Sequence, residues 1–116
     1  MEFLQAMGSV VPDMETTLQR FMGKQDFWKK FVLKFEQDPT YATLSRAWRS
    51  GSTEEVEREA HTLKGTSANL DFQRLSDACA DMVMHARAGE NEAFEADFAA
   101  ITVQYEKVLE AIHAIE

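Results

Sequence analysis

Only one cysteine, Cys79, occurs in the 116 residues. No internal disulfide and no cysteine-based zinc site can form from it. A single cysteine at an apolar helical position reads as a small core residue. Prolines number two and glycines five, and no repeat, low-complexity segment or domain linker interrupts the chain. No apolar run approaches the roughly 18 residues of a membrane span. The first residues, Met1-Glu2-Phe3-Leu4, have neither the basic region nor the long apolar stretch of a secretory signal, so a cytoplasmic location is expected. Positive charge is also scarce. Twelve Lys and Arg face twenty Asp and Glu, a formal charge of -8. Nucleic-acid binding needs clustered cations to meet phosphates, so the balance argues against it. It argues equally against an anionic membrane surface. The most basic stretch, Lys24 to Lys34, interleaves its lysines with Phe27, Trp28, Phe31 and Val32, which reads as a solvated face opposite a buried one.

What is present suits one compact helical domain. The length is that of a single domain. Hydrophobic residues make up 45%, with eight Phe and two Trp among them, enough for one core. Met14, Leu18, Phe21 and Met22 follow helical spacing up to Gly23. Trp28, Phe31, Val32 and Phe35 repeat at i, i+3, i+4 and i+7. Asp38-Pro39 restarts the chain as a cap followed by a first-turn proline. Tyr41, Leu44 and Trp48 mark a short helix closed by Gly51. Ser52 with Glu55 forms a capping-box pattern, and Val56, Ala60, Leu63, Ser67 and Leu70 then make one narrow stripe. Asp71 is expected to cap the next helix, whose stripe is Phe72, Leu75, Cys79, Met82 and Ala86, ending at Gly89. Asn91 is expected to cap the last, with Phe94, Phe98, Ile101, Tyr105, Val108, Ile112 and Ile115 on one face.

Short connections between amphipathic helices favour antiparallel neighbours. The expected fold is all-α, an antiparallel four-helix bundle with additional short N-terminal helices. Its principal helices lie near 25–37, 53–69, 72–88 and 92–115. Shorter helices near 13–22 and 39–50 are expected to pack on them, and residues 1–12 to form an N-terminal tail or a short helix.

One helix carries a site. If Ala60 and Leu63 face the core, His61 lies at the edge of that stripe or outside it. Lys64, Gly65 and Ala68 share its face, three, four and seven residues on. A glycine inside a helix costs about 1 kcal/mol relative to alanine, so something should offset it. Small residues on the two following turns leave the imidazole clear, with room for another protein's backbone and a phosphoryl group. The Lys64 ammonium can reach toward a phosphate on that ring.

The stretch Ala60-His61-Thr62-Leu63-Lys64-Gly65-Thr66-Ser67-Ala68-Asn69-Leu70 resembles the histidine phosphotransfer domain family. The family pattern is His, any residue, an apolar residue, Lys-Gly, two small residues, then Leu near the helix end. Leu75 and Cys79 fall where the family often has Leu and a small residue or Cys. The surrounding helical pattern agrees over roughly residues 13–115, and 13–116 is taken as the domain. Two positions depart from the pattern. Asp71 stands where the family usually has Gly, and Val83 where many members carry a Glu or Gln that touches the active imidazole.

The resemblance implies a phosphocarrier in a phosphorelay, without autokinase activity and without a cofactor or metal of its own. His61 would be the phosphorylated nucleophile and Lys64 would stabilise the phosphate. Gly65, Ala68 and Val83 would contact the partner, a receiver (response-regulator) domain, possibly of a hybrid histidine kinase. A monomer is expected, with a more apolar surface near His61 for docking.

Three other readings are weaker. Glu110-x-x-His113 matches half of a carboxylate-bridged di-iron pattern, but Arg58 stands three residues before His61 where a second pair would need Glu. In histidine-kinase dimerisation domains an acidic residue typically follows the histidine, and here Thr62 follows. A pure adaptor bundle would not need His61 at all. His85 is expected at the surface, and His113 beside the final stripe.

Overall fold

The computed structural model describes all 116 residues, which form seven α-helices and no strand. They are α1 (Phe3–Met7), α2 (Met14–Arg20), α3 (Gln25–Glu36), α4 (Thr40–Ser50), α5 (Thr53–Asn69), α6 (Gln73–Arg87) and α7 (Phe94–His113). A 3₁₀ turn, Asn91–Ala93, leads into α7. No helix is long and apolar enough to cross a membrane.

Local chemistry starts and stops these helices. The Asp13 carboxylate accepts from Thr16 N at the head of α2, and Ser52 Oγ accepts from Glu55 N at the head of α5. Such caps satisfy backbone donors that have no partner inside the helix. The C-termini of α2, α4, α5 and α6 end alike. Each places a residue just beyond its last turn in the left-handed region: Met22 (with Gly23 following it there), Gly51, Asp71 and Gly89. The next backbone N–H then reaches back to the final turn, as Phe72 N does to Ser67 O at 2.9 Å. This is the Schellman arrangement, and glycine fits it best because a Cβ is strained there. Asp71 is therefore the terminator of α5. It does not cap α6, whose first turn has no side-chain cap. Asn91 is likewise no helix cap: its side-chain amide donates to Thr53 Oγ1 at the head of α5.

α5, α6 and α7 follow one another through short turns and pack as antiparallel neighbours. Ser76 Oγ donates to Lys64 O at 3.2 Å, and Arg87 Nε to Glu57 Oε2 at 3.2 Å. Partner numbers rise on α6 as they fall on α5, as an antiparallel pair requires. α3 and α4 supply the remaining side of the bundle. α4, expected as a shorter helix packing on the bundle, packs along α5 and stacks Tyr41 on Tyr105 and Phe98 of α7. Its Tyr41 hydroxyl also meets Thr102 Oγ1 at 2.7 Å. α3 meets α7 further along, through Phe35 against Tyr105 and Glu36 with His113.

α1 closes one end. Its Phe3, Ala6 and Met7 are buried, with Phe3 set edge-on against the fully buried Trp28. Cys79 is fully buried, and burial pushes its thiol up to about 12, so it serves the core. Phe31, expected on the buried stripe of α3, is exposed and rests against Phe27 and Phe21.

Candidate functional site

α5 buries one stripe and exposes the opposite one. Val56, Ala60, Leu63 and Ser67 are at most 1% exposed. His61, Thr62 and Gly65 are exposed, while Lys64 and Ala68 are half-buried. The sequence-expected cluster of His61, Lys64, Gly65 and Ala68 is thus assembled on one face. Helical geometry alone puts it there, because residues three, four and seven apart line one side.

The helix runs unbroken through Gly65, and a Cβ built there would meet nothing within 4 Å. Internal packing therefore gives no reason for glycine. The missing side chain leaves space on the outside, one turn beyond the imidazole.

The three histidines differ in their partners. His85 Nδ1 lies 2.8 Å from Asp97 Oδ2, joining α6 to α7. This hydrogen bond raises the His85 pKa; burial opposes the rise, and the charges of Asp97, Glu90 and Asp81 add to it. His113 Nε2 pairs with Glu36 Oε2. Only the His61 side chain, of the three, has no hydrogen bond or ion pair within the chain. Its ring faces solvent with neither nitrogen engaged by the chain, open to an incoming electrophile. Lys64 Nζ also lacks an ionic partner, so a cation one turn away is equally uncommitted.

Toward the N-terminus of α5, His61 borders a shallow depression lined by Glu54, Glu57, Arg58, Thr62 and Arg87. No apolar residue lines it, and none of the exposed large hydrophobic residues lies on α5. The expected apolar surround of His61 is therefore missing from its own helix. The Arg87–Glu57 pair across this depression joins residues far apart in the chain, and no local spacing announces it.

Val83 requires a correction. It is 3% exposed and offers no surface to a partner. α6 packs against both α5 and α7, so its buried arc is wide enough to take in Val83 together with Ser76. Val83 has no polar atom with which to hold the imidazole, and no other side chain hydrogen-bonds the His61 ring.

A family model described as "Hpt domain" matches residues 2–115. No curated protein and no solved structure gives a significant match.

Proposed function

This chain belongs to the Hpt domain family, and from that premise we propose that His61 is its phosphoryl acceptor and donor. Histidine phosphotransfer within a phosphorelay is the family's function, and the chain is a phosphocarrier of two-component signalling. The observation that carries the assignment is that His61 alone among the three histidines has an unpartnered ring, beside a free Lys64 and the open surface of Gly65.

The proposed reaction is an exchange with receiver domains. An unprotonated His61 ring nitrogen, by family analogy Nε2, attacks the phosphorus of a receiver's aspartyl phosphate. A P–N bond forms as the P–O bond to the aspartate breaks, and the aspartate leaves as a carboxylate. The reverse exchange with a second receiver regenerates neutral His61. Lys64 balances charge on the phosphoryl oxygens, an electrostatic and positioning role. Gly65 and Ala68 admit the receiver's backbone. The metal ion and most of the transition-state machinery belong to the receiver. The bundle contributes no nucleotide chemistry of its own. The working unit is proposed to be a cytoplasmic monomer, since one exposed histidine per bundle needs no second copy.

The test is His61→Gln with a phosphorylated receiver and Mg²⁺. Glutamine is a good helix former, so the fold should hold to within about 1 kcal/mol at this exposed site. Its amide nitrogen lone pair is delocalised and a poor nucleophile. Wild type should acquire an acid-labile, base-stable label and the variant none, with matching circular dichroism. Equal labelling of the variant would overturn the site. Failure of a panel of host receivers to label wild type would favour an adaptor.

A further inference from the structure

We propose that Arg87 is a second phosphoryl-binding cation for His61, held on Glu57 until the phosphoryl group is present. The inference rests on the phosphocarrier reading and goes beyond it, because Lys64 is the only cation that reading uses.

The charges around His61 motivate it. A phosphoryl group on the ring brings close to two negative charges at neutral pH. On the N-terminal side it meets Glu57, four residues back on the same helix face, and Glu54, seven back. Lys64 stands on the other side, one turn toward the C-terminus. Without another cation, the phosphoryl group would face two carboxylates across the depression that His61 borders.

Arg87 is placed to supply that cation. It comes from the last turn of α6 and lines the same depression as His61. Its Nε donates to Glu57 Oε2 at 3.2 Å. Side chains four apart on a helix lie about 6 Å apart at their Cβ atoms, so a guanidinium held on Glu57 sits one turn from the imidazole. The pair is loose: the side chains are 59% and 40% exposed, and such surface pairs contribute little. A dianionic phosphoryl group offers more. Guanidinium binds phosphate oxygens through paired, charge-assisted hydrogen bonds. Arg87 can therefore turn from Glu57 toward the phosphoryl group with little loss. Arg58 lines the same depression, but its guanidinium is directed to the adjacent Glu59 at 3.5 Å.

The experiment charges the protein chemically, with phosphoramidate as the phosphodonor, so that no receiver is needed. ³¹P NMR then follows the second ionisation of the phosphohistidine, and His61→Gln identifies its resonance. In Arg87→Ala the titration midpoint should rise by roughly half a pH unit, the size expected when one full charge a few ångströms away in water is removed. Arg87→Lys should restore part of the shift. The decisive comparison is made in a Glu57→Gln background. If Arg87 touches the phosphoryl group, the rise on Arg87→Ala persists there. If Arg87 only serves the ion pair with Glu57, the rise vanishes. A midpoint unchanged in Arg87→Ala, or a rise lost in the Glu57→Gln background, overturns the proposal. Labelling by phosphoramidate but by no receiver would count against the relay reading instead, and the two failures are thereby separated.

Discussion

The guanidinium of Arg20 lies 3.1 Å from the carboxylate of Asp71, and this pair fastens α2 to the turn that ends α5. The other Asp71 oxygen accepts from Thr17 Oγ1 at 2.7 Å, and Arg20 also reaches Ala68 O. Asp71 holds these contacts from a left-handed backbone with φ 57°, where the family usually has glycine. Its side chain thus gives a reason for a residue whose backbone geometry is unfavourable.

Asp71 should therefore respond unequally to two substitutions. Asp71→Ala keeps the left-handed strain and loses the contacts to Thr17 and Arg20, so stability should fall by about 1–2 kcal/mol. Asp71→Gly loses the same contacts but removes the strain, and should be about 1 kcal/mol more stable than the alanine variant. Urea denaturation measures both. A glycine variant no more stable than the alanine variant would show that strain is absent.

Gly65 should separate docking from folding. Open space around its missing Cβ means that Gly65→Ala should hold or raise stability by up to about 1 kcal/mol. Gly65→Gln should slow transfer from a receiver while leaving labelling by phosphoramidate unchanged, because only the larger donor needs the space. Unaltered receiver kinetics in Gly65→Gln would remove the steric argument.

Lys64→Ala should still accept phosphate on His61. Its Nζ makes no ion pair that the fold would lose, so thermal stability should change little. Transfer should be slower or the phosphohistidine lifetime altered, followed by label retained over time. Wild-type rates and lifetime together would mark the cation as incidental.

The His85–Asp97 pair predicts a pH dependence. The folded protein raises the His85 pKa above its ordinary 6.5, chiefly through the bond to Asp97. A raised folded-state value means that protonated His85 stabilises the fold, fully so below the ordinary value. That contribution is lost as pH rises through the folded-state value. The stability gap between wild type and His85→Gln should be widest below the ordinary His value of 6.5 and narrow as pH rises through the raised folded-state value. A gap that is flat or widens with pH would refute the charged pair.

By itself the sequence determined where the helices run and which residues share the face of His61. Those are local matters. A 3.6-residue period sets His61, Lys64, Gly65 and Ala68 on one side of α5 whatever packs on the other, and Gly51 and Gly89 end helices through backbone freedom within a few residues. Contacts between distant segments were not legible, because they depend on which helices meet and in what register. The tertiary structure alone decided that α4 walls the bundle beside α5. It decided that Val83 is buried, because α6 is covered on two sides, by α5 and by α7. It decided that Asp71 faces Thr17 and Arg20 and does not cap α6. It also paired His85 with Asp97 and His113 with Glu36, which left His61 as the one histidine free for chemistry. No spacing along the chain encodes that choice, since each partner is brought up by a different helix.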